Sequence, residues 1–230
     1  MAATRLPNKP LADIGGKPMI VRAWEQAALS GFRVAVAAGD PEIVEVVEAA
    51  GGLAVLTDPD LPSGSDRIRA AVEAVDPDGA HDIIINIQGD MPFASPDLAR
   101  ACADLLTRES ACDIATLVAA EAEASDRANP DVVKAVLALP EDETSGRALY
   151  FTRSTLYGDG PIWRHVGIYG YRREALMRFC AAPPSPLEKR EKLEQLRALE
   201  MGLQIWASII DAAPLSVDNP ADLEAARALA

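Results

Sequence analysis

Short apolar runs alternate along the chain with longer segments in which apolar residues recur at helical spacing. The first pattern predicts buried strands, and the second predicts amphipathic helices. Predicted strands lie at 32–38, 53–56, 83–87, 114–118, 132–137, 165–171 and 205–210. Predicted helices lie at 41–50, 65–75, 95–108, 185–201 and 220–229, with a further apolar helix after residues 15–18. The alternation favours an α/β protein with a mostly parallel sheet covered by helices.

No internal repeat or linker divides the chain, so residues 1–230 are predicted to form a single domain. The regular alternation of strands and helices is lost between about residues 110 and 185. Polar loops at 121–131 and 139–147 fall in this stretch. We expect part of it to be an insertion over one end of the sheet.

The chain carries 22 basic and 35 acidic residues, a net charge of −13. Such a charge argues against nucleic acid or an anionic membrane as the main partner, because both would be repelled. It does not exclude a small anionic ligand, since a local basic pocket can bind phosphate on an acidic protein.

Cysteine and histidine are too few for the common metal sites. Cys102, Cys112 and Cys180 form no C-x-x-C pair, and His81 and His165 are the only histidines. A zinc ribbon, a disulfide framework and a histidine-rich metal site are therefore not expected. No apolar run approaches the roughly 20 residues that span a bilayer, and no signal peptide opens the chain, so we expect a cytoplasmic protein.

The segment TRLPNKP at 4–10 places two cations, Arg5 and Lys9, on a proline-stiffened loop before a helix. Fixed cations beside a helix start suit polyphosphate binding. The alternative is a solvated loop with ordinary surface cations. Neither a P-loop motif nor G-x-G-x-x-G is present, which argues against a P-loop NTPase and a dinucleotide fold.

Asp90 and Asp218 each end an apolar stretch and precede a predicted helix. Ligands of open α/β sheets lie beyond the carboxyl ends of strands, and carboxylates there suit Mg²⁺. We therefore predict that the two aspartates converge on one metal site. The alternatives are a turn with Asp90 facing water and an ordinary helix cap at Asp218.

The strand at 165–171 is predicted to carry His165, Gly167 and Tyr169 on one face, and Val166 and Ile168 on the other. The first face could meet a polar ligand, although a lone histidine in a strand also serves structural roles.

Glu194 and Gln195 lie on the predicted helix at 185–201. Arg190 and Arg197 stand at helical contact spacing from Glu194, which would also fit an exposed ion-pair face.

Read together, these motifs resemble the 3-deoxy-manno-octulosonate (KDO) cytidylyltransferases over nearly the whole chain. The matching stretches run in family order: TRLPNKPL (4–11), IGGKPMI (14–20), SGSDR (63–67), NIQGD (86–90), NP through VK (129–134), LYFTR (149–153), RHVGIYGY (164–171), PSPLE (184–188), KLEQLR (192–197) and VDNP (217–220). The RHVGIYGY and LEQLR stretches are the most specific for KDO.

The resemblance implies an α/β/α sandwich of the nucleotide-diphospho-sugar transferase type that couples CTP and KDO with Mg²⁺. The products would be CMP-KDO, for lipopolysaccharide assembly, and pyrophosphate. A homodimer is also implied, with dimer contacts from part of 110–185. The implied residue roles are as follows: Arg5 and Lys9 at the CTP phosphates, Ser63 and Arg67 around the cytidine, Asp90 and Asp218 on Mg²⁺ with Lys9 in the catalytic group, and Gln88, His165, Tyr169, Glu194 and Gln195 in the sugar-acid pocket.

The sequence departs from the family pattern in its first loop and in the segment before that loop. Asn8 stands where the family usually has Gly, and Asn tolerates the left-handed backbone that such a position needs. The family also begins with an apolar strand ending in P-A-R, which is absent before Thr4. We therefore expect that the first strand is missing and that Met1 is an internal methionine taken as the start.

Three alternatives follow from the same residues. The acceptor could be sialic acid or a KDO analogue such as 8-amino-KDO, although the segments around His165 and Glu194 speak against sialic acid. The chain could also be a truncated homologue without activity.

Overall fold

The computed structural model describes residue 6 and residues 8–120 and 124–230. Within them, the chain forms two compact units. Unit 1 contains the described residues up to Ala80, together with Ile87–Ala99 and Pro214–Ala230. Unit 2 contains His81–Asn86 and the described residues of Arg100–Ala213. Each unit thus combines segments that are far apart in sequence. That residues 1–230 form a single domain stays a prediction.

Unit 1 pairs short strands with amphipathic helices. Strands β1 and β2 form an antiparallel hairpin across Gly15 and Gly16, which both have a positive φ, and β3 pairs in parallel with β4. The elements of unit 1 are β1 (Asp13–Ile14), β2 (Lys17–Pro18), α1 (Met19–Ala28), β3 (Ala35–Ala38), α2 (Pro41–Ala49), β4 (Leu53–Leu56), α3 (Gly64–Val75) and α8 (Pro220–Ala228), with a 3-10 turn at Lys9–Leu11.

Among the described residues of unit 1, apolar side chains pack in the following two clusters. Ile43 and Val47 project from one face of α2 onto Val36 and Ala38 of β3. This packing follows from the helical spacing of the apolar residues in α2. The second cluster is buried against α8 and the β1–β2 hairpin, and its members are Ile14, Met19, Val217, Leu223 and Ala226.

Unit 2 is built on a six-stranded mixed sheet in the order β5-β9-β6-β10-β8-β7. Its strands are β5 (Ile83–Asn86), β6 (Ile114–Ala120), β7 (Lys134–Ala138), β8 (Ser145–Thr152), β9 (Trp163–Arg172) and β10 (Ile205–Ile210). Its helices are α5 (Arg173–Ala181), α6 (Pro186–Glu191) and α7 (Gln195–Glu200), with a 3-10 turn at Ala124–Arg127. Helix α4 (Pro96–Arg108) has residues in both units.

The predicted α/β class is confirmed, but the mostly parallel sheet is wrong for the described strands. Only β10 with β6 and β3 with β4 pair in parallel there, and every other described pairing is antiparallel. The physical reason is local: β7 and β8 are joined by the short loop 139–144, and so short a connection can reverse the chain but cannot make a parallel crossover. Apolar patterning identifies strands without fixing their direction.

The expected helix at 185–201 is two short helices. Ser185 begins α6 with a capping box to Glu188, and Lys192 then adopts a left-handed conformation with a φ of 56°. A left-handed residue ends a right-handed helix, so the chain restarts at Gln195 as α7. The apolar pattern did not predict β8, α5 or the β1–β2 hairpin, whereas the predicted strand at Leu53–Leu56 is confirmed.

The segment 110–185 supplies four of the six strands of the unit 2 sheet, β6 to β9. Its predicted role over an active site and in a dimer stays a prediction. The predicted absence of a first strand falls on residues 1–5, which lie outside the described residues. Among the described helices, none combines the length and apolarity needed to cross a membrane.

Candidate active site

In unit 1, two carboxylates far apart in sequence share one ammonium group. Nζ of Lys9 lies 2.9 Å from Oδ2 of Asp90 and 3.2 Å from Oδ1 of Asp218. The predicted convergence of the two aspartates is therefore observed. The Lys9 and Asp90 side chains are 14% and 26% exposed, whereas that of Asp218 is 65% exposed. We call Lys9, Asp90 and Asp218 the carboxylate cluster.

The backbone places Lys9 and Asp218 for this contact. Asn8 has a φ of 54°, so it adopts the left-handed conformation that its asparagine tolerates. Before α8, the helix cap is Asn219, whose side chain accepts from the amide of Asp222. Asp218 is therefore not the capping residue, and its carboxylate accepts from Lys9 at 3.2 Å and from the Ser216 hydroxyl at 3.3 Å.

Opposing effects of burial and of the two carboxylates set the pKa of Lys9. Burial lowers the pKa of Lys9, but the hydrogen bonds and negative charges of Asp90 and Asp218 raise it more, so its pKa lies above its ordinary value. Lys9 is therefore a fixed cation at physiological pH.

The donor set of the cluster suits a hard divalent cation. Mg²⁺ in proteins is commonly bound by one or two carboxylates that are completed by substrate phosphates and water. Within the described ranges, no group of three or more potential ligands among His, Cys, Asp and Glu is present. Asp90 and Asp218 match the two-carboxylate pattern, which needs no third protein ligand.

The loop of Asp90 is tightly built. The amide of Met91 donates to the carbonyl of Gln88 at 3.2 Å, which closes a turn around Gly89 and Asp90. A Cβ atom at Gly89 would lie 2.8 Å from Cδ1 of Ile20, so glycine permits this close approach. Gln88 thus lies in the same turn as Asp90, and its predicted role toward a sugar acid stays a prediction.

The two residues predicted around a cytidine, Ser63 and Arg67, have well-defined structural partners. Ser63 caps α3 by accepting from the amide of Asp66 at 3.1 Å. The Arg67 guanidinium donates to the Thr57 hydroxyl at 2.6 Å and to the carbonyls of residues 58 and 59. Arg67 thereby fixes the loop after β4. Arg5, predicted at the phosphates, lies outside the described residues.

In unit 2, β9 presents the polar face that the sequence predicts. Val166 and Ile168 are buried on one side, and His165, Gly167 and Tyr169 are partly accessible on the other. The rings of His165 and Tyr169 have centroids 5.4 Å apart, and Phe151 meets His165 edge-on at 5.0 Å. A Cβ atom at Gly167 would meet nothing within 4 Å, so open space adjoins this face.

Burial sets the protonation of this face. Desolvation lowers the pKa of His165 to about 4, so the ring is neutral at pH 7. Burial also raises the pKa of Tyr169, helped by the nearby Tyr171 and the negative charge of Glu194. The face therefore offers neutral hydrogen-bonding groups.

Thr116, the polar partner of His165, was not predicted from the sequence. Its hydroxyl lies 3.0 Å from Nε2 of His165, and the residue is fully buried in β6. The available signal was one hydroxyl inside the otherwise apolar run IATLVAA at 114–120.

Glu194 and Gln195 stand at the start of α7. Gln195 is 8% exposed, and Glu194 accepts from the guanidinium of Arg197 at 2.9 Å. Arg197 also lies 3.0 Å from Glu188 and stacks over the Phe179 ring. The expected contact of Glu194 with Arg197 is confirmed, but the ion pair is not an exposed face because Arg197 is buried.

Arg190, the other expected partner of Glu194, turns to different groups. It donates to Glu191 at 3.0 Å and to the Tyr150 hydroxyl at 3.1 Å. The break at Lys192 explains this difference, because the spacing of a continuous helix does not hold across it.

A protein-family model and solved structures both match this chain. The model of the cytidylyltransferase family matches residues 1–205. A solved CMP:2-keto-3-deoxy-manno-octonic acid synthetase in complex with CTP is 37% identical, with a TM-score of 0.90, over 99% of this chain and 93% of that one. A 4-diphosphocytidyl-2C-methyl-D-erythritol synthase from Anaerococcus prevotii is 10% identical with a TM-score of 0.64, over 96% of this chain and 92% of that one, which shows the shared fold alone. The fold and its relatives therefore define this protein as a nucleotidyltransferase enzyme.

Two relatives show to which family of nucleotidyltransferases the chain belongs. The 3-deoxy-manno-octulosonate cytidylyltransferase of Parvibaculum lavamentivorans is 58% identical over 99% of this chain and 88% of its own length. That of Rhodospirillum rubrum is 52% identical over 100% of this chain and 92% of its own length. The chain belongs to the 3-deoxy-manno-octulosonate cytidylyltransferase family.

Proposed function

We propose that the protein transfers CMP from CTP to 3-deoxy-manno-octulosonate, giving CMP-KDO and pyrophosphate. The observation that carries the proposal is the carboxylate cluster, in which Lys9 bridges Asp90 and Asp218 within 3.2 Å. A fixed cation beside two converging carboxylates suits a nucleoside triphosphate and its metal ion. Family membership supplies the identity of the nucleotide and the acceptor.

The reaction needs positioning and charge neutralisation more than covalent catalysis. The anomeric hydroxyl of KDO loses its proton to solvent as its oxygen forms a bond to the α-phosphorus, and the bond from that phosphorus to pyrophosphate breaks in line. No thiol nucleophile is required. Consistently, burial raises the pKa values of Cys102 and Cys112, so both thiols stay protonated at neutral pH.

Asp90 and Asp218 would hold Mg²⁺, which when bound neutralises phosphate charge. Lys9 stays protonated and binds a phosphate oxygen, and Arg5 binds the same polyphosphate. Ser63 and Arg67 border the cytidine, where the contacts of Arg67 with residues 57–59 keep that loop rigid.

Gln88, His165, Tyr169, Glu194 and Gln195 contact the sugar acid. Gln195 is 8% exposed, and Arg197 holds Glu194 at 2.9 Å, so their positions are set before the sugar arrives. Buried polar groups discriminate strongly, because an acceptor that lacks a matching hydroxyl leaves them unpaired. We further propose that the product serves lipopolysaccharide assembly, that the reaction occurs in the cytoplasm and that the enzyme is a homodimer.

The defining experiment measures pyrophosphate release by the purified protein. Release is expected only when CTP, KDO and Mg²⁺ are all present. Replacing KDO with 8-amino-KDO or sialic acid tests the acceptor, and faster turnover of either one would reassign the substrate. No release with any acceptor would support the inactive homologue.

A second experiment tests the sugar-binding residues. Gln195→Ala is expected to raise the KM for KDO far more than the KM for CTP, because only the sugar acid loses a hydrogen bond. Gln204→Ala is the matched control, since Gln204 is half-buried and bonds to Arg147 and Gly202 in the same unit. Equal effects of Gln195→Ala on both substrates would contradict a sugar-specific role.

A further inference from the structure

The hydroxyl of Thr116 is surrounded by three possible hydrogen-bond partners. Its Oγ1 lies 2.9 Å from the carbonyl oxygen of Ile168, 3.3 Å from that of Val166, and 3.0 Å from Nε2 of His165. Thr116 itself is fully buried. Water is therefore excluded from Thr116, and the hydrogen bonds must be distributed among these four residues.

An irregularity in the sheet creates this arrangement. Thr116 pairs with Tyr169 and Leu117 pairs with Val166, so β9 carries two extra residues, Gly167 and Ile168, between consecutive pairs. A bulge interrupts the regular ladder and leaves backbone groups in need of other partners. The Thr116 hydroxyl meets that need, because two carbonyl oxygens around the bulge point at it.

The proton count fixes the state of His165. A hydroxyl has one proton to donate and two lone pairs that can accept, whereas a carbonyl oxygen can only accept. If the Thr116 proton pointed at Nε2, the hydroxyl oxygen would face two carbonyl oxygens at 2.9 and 3.3 Å with no proton between them, which is repulsive. The proton is therefore assigned to a carbonyl oxygen, with that of Ile168 the nearer. The hydroxyl lone pairs then face Nε2 of His165, and this contact is a hydrogen bond only if Nε2 carries a proton.

We propose that Thr116 is a positioning residue that fixes His165 as its Nε2–H tautomer, so that Nδ1 accepts a hydrogen bond from a hydroxyl of the sugar acid. The inference rests on the proposed function for the identity of the ligand. The tautomer itself is a property of the free protein.

Two further observations support the assignment. The ring carries a single proton at neutral pH, because desolvation lowers the pKa of His165 to about 4. Among the residues that the structure describes, Nδ1 of His165 has no hydrogen-bond partner, and open space adjoins Gly167 on the same face. A neutral ring with a free lone pair selects a hydroxyl donor and offers nothing to a carboxylate.

The tautomer can be read directly by long-range ¹H–¹⁵N correlation NMR on the ¹⁵N-labelled protein at pH 7. Only His81 and His165 contribute imidazole signals, and His81→Gln assigns them. We expect a proton on Nε2 and an unprotonated Nδ1 for His165. A proton on Nδ1, or a doubly protonated ring, would overturn the proposal even if the enzyme transfers CMP to KDO.

Variants separate positioning from stability. Thr116→Val removes the hydroxyl at nearly constant volume, and we expect a mixture of His165 tautomers and a three- to tenfold higher KM for KDO, about the effect of one lost hydrogen bond. The KM for CTP should change little. Thr116→Ser keeps the hydroxyl and should show the same Nε2–H signal as the wild type. If Thr116→Val does not fold, a changed tautomer in Thr116→Ser would still contradict the proposal.

Thr152→Val is the matched control, because it removes a buried hydroxyl, which accepts from the amide of Ser154, from strand β8 of the same sheet. It should leave the His165 tautomer unchanged. An unaltered tautomer in Thr116→Val would overturn the role of Thr116. If the wild-type protein shows the Nε2–H signal but does not transfer CMP to KDO, that result would count against the proposed function and not against the tautomer.

Discussion

The backbone amide of Val217 donates a hydrogen bond to the carbonyl oxygen of Asp90 at 2.9 Å. This bond joins two loops whose aspartates, Asp90 and Asp218, are 128 residues apart in sequence. Val217 is fully buried in the cluster with Ile14 and Met19, so the joint is anchored in the core of unit 1. The main chain therefore positions the carboxylates, and changing a carboxylate tests its charge with little change in the loop.

Asp90→Asn is expected to lower turnover at least about a thousandfold, because a metal ion's charge neutralisation is worth several kcal/mol. The amide has nearly the same volume but one negative charge fewer. Steady-state pyrophosphate release at saturating CTP and KDO measures the effect. Asp78→Asn, at an exposed turn, is the control. Turnover of Asp90→Asn within tenfold of the wild type would argue against a metal ligand.

Lys9→Met is expected to make the folded protein more responsive to Mg²⁺ in the absence of substrates. Without the ammonium group, Asp90 and Asp218 repel each other, and a bound divalent cation removes that repulsion. Thermal denaturation with and without Mg²⁺ should show a rise in Tm about 2–4 °C larger for the variant than for the wild type. The pKa of Lys9 is raised, so its stabilising charge is lost only as the pH rises above about 10.4. An equal Mg²⁺ response in both proteins would contradict the shared site.

His165 should make stability sensitive to mild acid. Burial lowers its pKa to about 4, whereas an unfolded histidine titrates near 6.5, so the unfolded chain binds more protons between these values. The free energy of unfolding is therefore unaffected by His165 above about pH 6.5, and it decreases as the pH falls toward 4. Urea unfolding at pH 7 and pH 4.5 should show the wild type losing up to about 3 kcal/mol more than His165→Gln. His81→Gln, at an exposed histidine, should behave like the wild type.

Arg197→Met is expected to destabilise the protein by about 3–5 kcal/mol, because Glu188 and Glu194 lose their buried partner. Arg197→Lys should recover part of the loss, since an ammonium keeps the charge but cannot reproduce the forked contacts. Chemical denaturation measures both. Arg190→Met removes an exposed arginine from the neighbouring helix and should change stability little. A similar small loss for Arg197→Met would show that its ion pairs are dispensable.

The parts of the fold that local chemistry dictates were predictable. The apolar run at Leu53–Leu56 forms a strand, and the helix at Pro41–Ala49 begins after Asp40 as its sequence indicates. The convergence of Asp90 and Asp218 was also predictable, because each ends an apolar stretch and precedes a helix. Period-two spacing placed His165 and Tyr169 on one face of β9.

The rest depends on tertiary context. The left-handed Lys192 breaks a segment whose composition favours a continuous helix, and no glycine marks the position. Strand direction in the sheet of unit 2 is set by connections that apolar patterning does not encode. Thr116 was missed because its importance comes from the carbonyl oxygens of Val166 and Ile168, and these are brought together only by the bulge.

The two extra residues of β9 have an evolutionary consequence. Deleting Gly167 and Ile168 together would restore regular pairing with β6 while leaving every later side chain on its present face, because the alternation of a strand has a period of two. Selection for stability alone would therefore find an easy path to a straighter strand. Such a deletion would also remove the carbonyl oxygen that takes the Thr116 proton. A lineage that no longer needed the enzyme's substrate would be free to lose the bulge, so its retention or loss among homologues should follow that need.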